Sequence, residues 1–524
     1  MNLSRIVLSA TRILIIYLAA LVAACSSLPD RLATPNQFPP PSHAELESSK
    51  LHQQVKQASA KHSGKSGFYA LESGVDALAA RLALIDQAEV SLDLQYYIWH
   101  DDLSGRLLFN SLLNAADRGV KVRLLLDDID TPGKDRLLSL LQANQNIDIR
   151  LFNPFINRNV RWWNFLTDST RLDHRMHNKS LTADRIVSII GGRNIGDEYF
   201  ETGDRIGFSD LDVLVSGSAA KEVNASFDEF WSSQWAYPLG QIATDIEVTD
   251  EDYANYRQTL EIYLHKSLES ELRNSIELSQ SKIEDDLGGK GVVWSGWQFW
   301  HDKPSTVEHT HPDRDSYLAP KIIELLQSAQ REILIVSPYF VPGDKLTDLL
   351  VNKAQQGLTV KVLTNSLASN DVPIVYAGYI NYREELIKGG VEVYELMPTS
   401  KRDKSKGGGE WSGSSSSSLH GKYLGIDANY FFVGSFNLDP RSAFLNTELG
   451  IVFETPSYYK LLSDGFNELT DGWGYRVYLD DNGDETWETL VNGERVTFDS
   501  APEVSSWDNF WVNFLSIIVP ESEL

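Results

Sequence analysis

From Gly67 onward the apolar residues recur at two alternating periods. Ala77 to Gln87 carries a helical stripe, Val90 to Ile98 an apolar strand, Gly105 to Arg118 a second helix and Val120 to Leu126 a buried strand. The same order returns later, as helix Lys321 to Gln330, strand Ile333 to Phe340, helix Lys345 to Gln356 and strand Thr359 to Thr364. Local echoes accompany it: Arg118-Gly119-Val120-Lys121-Val122 is answered by Gln356-Gly357-Leu358-Thr359-Val360. The chain reads as an internal duplication, and its alternation of helices with apolar strands predicts α/β layers with a mostly parallel central sheet in each half.

The pattern divides the chain into a first half over 67–249, a helical connector over 250–300, a second half over 301–475, and a hairpin with an amphipathic helix over 476–524. Residues 25–66, rich in Pro, Ser, Gln and Lys, read as a tether with a short helix near Ala44 to Ala60. Lys401 to Ser418, basic and then Gly/Ser-rich, is predicted to be mobile. At the C-terminus Trp507, Phe510, Trp511, Phe514, Leu515 and Ile518 form one apolar helix face, suited to docking on its own domain or to a membrane interface.

A motif is duplicated along with the elements. His177, Lys179 and Asp184 recur 243 positions on as His420, Lys422 and Asp427. Each copy is followed at equal spacing by a small-residue turn and an asparagine, Gly191-Gly192 with Asn194 and Gly434-Ser435 with Asn437. Each turn follows an apolar strand, Ile186 to Ile190 or Tyr430 to Val433. The glycines are expected to let the backbone approach a phosphate. Phosphodiester exchange through a covalent intermediate needs one imidazole to attack phosphorus and a second, opposite, to protonate the leaving alcohol. A pair of motifs supplies both.

Composition narrows the substrate. The 47 basic and 73 acidic residues leave a net charge of −26, which repels a polyanion and weighs against a nuclease, so no nucleic acid partner is expected. With 524 residues at 42% apolar content the chain can bury a large core, in two or three domains. Arg5 and Arg12 precede the apolar run Ile13 to Ala24, which is too short to span about 30 Å of hydrocarbon but has the length of a signal-peptide core. Val22-Ala23-Ala24 before Cys25 resembles a bacterial lipobox, implying removal of residues 1–24 and lipidation of Cys25. Ser26 rather than Asp points to the outer membrane facing the periplasm, with the inner membrane as the alternative. Cys25 is the single cysteine, so no intrachain disulfide is available.

The paired His-x-Lys-x4-Asp motif, with both asparagine turns, resembles the phospholipase D superfamily over nearly the whole chain from about residue 67. Arg171 to Lys179, Gly191 to Phe200 and Gly434 to Ser442 are most similar to the bacterial C-type cardiolipin synthases. The resemblance implies two α/β sandwich halves about a pseudo-twofold axis, with the histidines meeting at the seam. It implies a phosphohistidine on His177, with His420 as acid and then base. Lys179 and Lys422 would stabilise the charge on the non-bridging oxygens, while Asn194, Asn437 and Ser435 bind substrate. Glu448 holds the family's place for a histidine-orienting carboxylate, and Asp210, with Asp212 as its rival, the matching place in the first half. Asp184 and Asp427 complete the catalytic motif, expected to brace the loop near the lysines as buried ion-pair members. No metal or other cofactor is required by this chemistry.

The implied activity is transfer of a phosphatidyl group to phosphatidylglycerol, with phosphatidylethanolamine as a possible second lipid and a helper protein as a possible partner. The alternatives are a hydrolase releasing phosphatidic acid, a nuclease, or a binding scaffold. Asn157 to Phe165 mixes Arg158 and Arg161 with Trp162, Trp163 and Phe165, a combination suited either to an anionic headgroup or to a packed loop with surface arginines. Asp480 to Glu485 resembles a calcium loop but has its glycine misplaced, which predicts a hairpin turn. His309 and His311 lack further ligands at metal-site spacing and read as a solvent loop.

Overall fold

The computed structural model describes residues 28, 38–158, 160–200, 210–288, 291–308, 317–370, 372–398, 419–470 and 472–518. The leader with Cys25, the His309/His311 pair and the Lys401 to Ser418 stretch lie outside the described residues.

The first half builds a sheet from β1 (Ser66–Leu71), β2 (Ser91–Tyr96), β3 (Lys121–Asp127), β4 (Ile147–Phe152), β5 (Ser180–Ala183), β6 (Val187–Gly191), β7 (Asp212–Ser216), β8 (Ala236–Pro238) and β9 (Val293–Ser295). The second uses β10 (Trp297–His301), β11 (Glu332–Val336), β12 (Thr359–Asn365), β13 (Glu392–Leu396), β14 (Tyr423–Ile426), β15 (Tyr430–Gly434), β16 (Leu449–Glu454), β17 (Gly474–Leu479), β18 (Glu485–Val491) and β19 (Glu494–Phe498). The first sheet runs β8-β4-β3-β2-β5-β6-β7-β1-β9, and within the second the run β13-β12-β11-β14-β15-β16-β10 repeats the order β4-β3-β2-β5-β6-β7-β1. The duplication is thus one of topology as well as motif.

The sheets are mixed rather than mostly parallel. Among neighbouring strands only β2-β3-β4 and β11-β12-β13 pair in parallel, each step made by a crossover helix such as Leu103–Asp117 or Gly343–Gln355. The motif strands β5 and β6, and likewise β14 and β15, are joined by three-residue loops, which force antiparallel pairing.

The segment assigned to a connector belongs to the first half. Helices Asp250–Ser267 and Ser270–Gly288 place Leu260, Leu264, Ile276 and Ile283 in its core. Strand β9 then closes the first sheet at β1, and β10 opens the second at β16, so the halves meet near residue 296. The tether is also partly docked: of its helices His43–Ser48 and Lys50–Ser59, the second buries Leu51 and rests Val55 on the same core. The C-terminal strands do not stand apart, since β17 pairs with β13 and extends the second sheet through β18 and β19. Asp480 to Glu485 contains the turn between β17 and β18. A third core joins the halves, with Phe68 stacked on Phe453 at 4.2 Å and packed with Val213, Val215, Val433 and Ile451.

The final helix, Ser506–Ile518, docks on helix Pro373–Lys388 through Val512 and Leu515, and Asn381 Nδ2 donates to Ser516 O. Trp507, Phe510, Trp511 and Phe514 nevertheless remain 64%, 58%, 42% and 42% exposed. Among the described residues no helix is long and apolar enough to cross a membrane.

Asp184 and Asp427 are not near the lysines. Each sits at the far end of its hairpin, four strand residues beyond Lys179 or Lys422, in the left-handed region at φ 46° and 57°. The Asp184 carboxylate accepts from the backbone N–H groups of Glu89, Val90 and Ser91. Asp427 does the same for Gln330, Arg331 and Glu332. Both tie the motif hairpin to the turn where an outer helix enters β2 or β11, and neither appears in an ion pair with a motif lysine. Asp184→Ala removes the partner of three N–H groups; chemical denaturation should show roughly 2–4 kcal/mol of lost stability, with a smaller loss for the partly exposed Asp427→Ala.

Candidate active site

The two motif histidines are oriented by carboxylates from opposite halves. His177 Nδ1 donates to Glu448 Oε1 at 2.9 Å and lies 3.0 Å from Oε2. His420 Nδ1 donates to Asp210 Oδ2 at 2.7 Å. An ionised carboxylate only accepts, so an Nδ1 that faces one carries the proton and leaves Nε2 for chemistry. Asp212, the rival of Asp210, is buried against Arg81 at 2.8 Å and Arg193 at 3.4 Å and has a structural role.

Backbone pairing across the seam explains the crossing. Thr447 O accepts from His177 N, Thr447 N donates to Arg175 O, and Thr447 Oγ1 donates to Asn178 Oδ1. This short parallel bridge of Met176 with Thr447 delivers Glu448 to the His177 ring.

Both lysines are buried, and each Nζ donates to the carbonyl of its own motif histidine, Lys179 to His177 O at 2.7 Å and Lys422 to His420 O at 2.5 Å. Burial, then Lys179, Lys422 and His420, hold the His177 imidazole well below its ordinary range, so this ring is neutral. The two histidines and two lysines thus share one electrostatic environment. Burial also lowers His420, helped by Lys422 and opposed by Asp210.

The two carboxylates differ. Burial pushes Glu448 up to about 7, with Lys179 and Ser435 pulling back. Asp210 is also buried, but His420, Arg193 and Lys422 outweigh that and hold it well below the carboxylate range. One imidazole therefore faces a weakly acidic partner and the other a firmly ionised one.

The asparagine turns hold these parts in register. Asn194 is buried, its Oδ1 accepting from Ile98 N, and Asn437 is buried at the matching place. The Ser435 Oγ donates to Glu448 Oε2 at 2.5 Å and accepts from Leu449 N, so it positions Glu448. The turn glycine makes room for the carboxylate, since a Cβ on Gly192 would lie 2.4 Å from Asp210 Oδ1. Arg158 and Arg161 turn inward onto Asp128 and Thr131, while Trp162 and Trp163 remain exposed.

Four contributors escaped the sequence reading. Arg193, inside the asparagine turn, donates to Asp210 O, Leu71 O and Glu72 O and fixes the carboxylate behind His420. Asp302 accepts from Glu448 N at 2.7 Å and does the same for the carboxylate behind His177. Tyr97 and Tyr199 set ring edges against His177 and His420, at 5.0 and 5.2 Å. The place of Arg193 beside Asn194 was a usable signal, as was Tyr97, answered 243 positions on by Phe340; Asp302 and Tyr199 have no such counterpart.

His100, Asp102 and Glu198 gather possible metal-ligand atoms within 4.8 Å of one another. Both Asp102 oxygens already accept backbone N–H groups, from Gly105 and Asp197, which makes this a poor metal site.

Paired imidazoles, each with a carboxylate and a lysine on duplicated α/β halves, define a phospholipase D-like protein. A family model described as the cardiolipin synthase PLD-like domain matches residues 82–231 and 322–470. Cardiolipin synthase C of Escherichia coli is 38% identical over 460 residues, covering 88% of this chain and 96% of that protein. An uncharacterized protein of Helicobacter pylori is 33% identical, covering 87% and 88%. The crystal structure of the phosphatidylserine synthase of Haemophilus influenzae shares the fold, with a TM-score of 0.54 at 14% identity over 89% of this chain and 96% of that one. The chain belongs to the cardiolipin synthase family of PLD-like proteins.

Because Glu448 is held up near 7 when folded, the native state keeps a proton that the unfolded chain loses at the ordinary carboxylate range. Its contribution to stability therefore falls as pH rises from about 4.5 to about 7 and is level above that. Thermal melts from pH 5 to 8 should show wild-type stability falling relative to Glu448→Gln across this window. A constant difference would place the Glu448 pKa elsewhere.

Proposed function

We propose that this protein is a phosphatidyl transferase of the cardiolipin synthase kind, joining a phosphatidyl group to the headgroup hydroxyl of phosphatidylglycerol. The observation that carries the reading is the crossed pairing of His177 with Glu448 and His420 with Asp210 in a site holding two buried lysines.

The unequal carboxylates support one division of roles. Neutral His177 attacks phosphorus through Nε2, and the bond from phosphorus to the headgroup oxygen breaks. His420, whose protonated form is supported by ionised Asp210, gives its proton to that oxygen. The acceptor hydroxyl then enters at the vacated place and loses its proton to His420. Its oxygen attacks phosphorus, and the P–N bond electrons return to His177. Lys179 and Lys422 offset the charge on the non-bridging oxygens, and the Asn194 and Asn437 amides add directed donors. Asp184 and Asp427 support this site only by anchoring its hairpins.

The lipidated Cys25, with an outer-membrane location facing the periplasm, would keep the enzyme at its substrate, phosphatidylglycerol with phosphatidylethanolamine as a second lipid. The leader sequence supports this anchor.

Purified protein with labelled phosphatidylglycerol, with and without phosphatidylethanolamine, should form cardiolipin. His420→Ala should slow this by roughly a hundredfold to ten-thousandfold, and His177→Ala should abolish it. Chelation by EDTA should leave the rate unchanged. Phosphatidic acid as the only product would replace transfer with hydrolysis, and activity of the isolated chain would remove the need for a helper protein.

A further inference from the structure

The pseudo-twofold relation breaks at the rim of the site. Counting 243 positions on from Glu198 and Tyr199 leads to Arg441 and Ser442. Tyr199 packs edge-on to the His420 ring at 5.2 Å, and the Glu198 carboxylate beside it is half exposed. Its Oε1 lies 3.1 Å from His100 Nδ1, and a Cβ on Gly196 would fall 2.7 Å from Oε2. Glycine at 196 therefore leaves room for this carboxylate to lie against the turn that carries Asn194. Burial, the largest single influence, opposes its ionisation, but the hydrogen bond from His100, its own backbone N–H and the charges of His100 and His420 together hold it below the ordinary range. Arg441, at the matching place of the other half, donates to Asp173 O and acts electrostatically on Tyr97 and His174, on the His177 side. One end of the site thus presents an acceptor anion and the other a guanidinium.

The end beside His420 is where an alcohol must leave and another must enter, if the transferase reading above holds. We propose that Glu198 is the alcohol-selecting residue: its carboxylate accepts a hydrogen bond from a hydroxyl or ammonium on the carbon next to the one bearing the reacting oxygen. A glycerol headgroup offers such a hydroxyl, and an ethanolamine headgroup offers such an ammonium. Water offers neither, so the same contact favours transfer over hydrolysis. A site built to hydrogen-bond a substrate donor rejects an analogue that lacks it, because its own acceptor is left unpaired.

The test uses full-length purified protein on vesicles containing phosphatidylglycerol as acceptor and one labelled donor: phosphatidylglycerol, phosphatidylethanolamine or phosphatidylethanol, whose headgroup lacks the second donor. Glu198→Ala should lower kcat/KM for the first two by roughly tenfold or more while leaving phosphatidylethanol within about twofold. Product should shift from cardiolipin to phosphatidic acid. Glu198→Gln, which keeps an acceptor but no charge, should retain the glycerol lipid better than the ethanolamine lipid. Gly196→Ala displaces the carboxylate without removing it and should reproduce the loss of discrimination, with melting temperature recorded for every variant. An equal loss on all three donors at an unchanged product ratio, or no loss at all, overturns the assignment. No turnover by the wild-type chain overturns the transferase reading and this assignment with it.

Discussion

Each reactive imidazole is held by a carboxylate that the other half of the chain supplies. His177 depends on Glu448 and His420 on Asp210, so neither half contains a finished acid–base unit. The seam is therefore where the catalytic parts are made. The stacked Phe68 and Phe453, the apolar strands around them and the bridge of Met176 with Thr447 hold the imidazoles in register. Loosening that packing would misalign both pairs together, since proton transfer tolerates little displacement.

Duplication provides two similar sets of groups, and their surroundings make them unequal. Glu448, enclosed with Ser435, is raised to about 7, whereas Asp210 stays ionised beside His420 and Arg193. Separating the proton affinities of paired groups is how one site obtains a nucleophile and an acid at the same pH. The rim continues the inequality, with Glu198 at one end and Arg441 at the other.

Much of the fold was legible because the parallel units carry near-continuous apolar strands between amphipathic helices, as in β2, β3, β11 and β12. Strand direction was less legible: an apolar run reads alike whichever way its neighbour points, and β5 and β14 proved antiparallel to β2 and β11. The connector was misread because its helices are charged on the solvent side and commit only a few residues, such as Leu260 and Ile276, to the core. Asp184 and Asp427 were placed by motif membership, but a side chain four strand residues from a lysine lies at the other end of the hairpin. Ser435 reads as substrate-binding from its place in the asparagine turn, and its contact with Glu448 is visible only in the fold.

The sequence by itself determined the duplication and pointed to the proposed chemistry, because paired His-x-Lys motifs at matched spacing are a covalent pattern that no folding is needed to read. It also placed Glu448 and Asp210 as orienting groups. Which histidine each serves, which carboxylate stays charged, and which residues hold them from behind were decided only in three dimensions. Those properties arise from burial and from distances between residues such as His177 and Glu448, 271 positions apart along the chain, and neither quantity is written in local order.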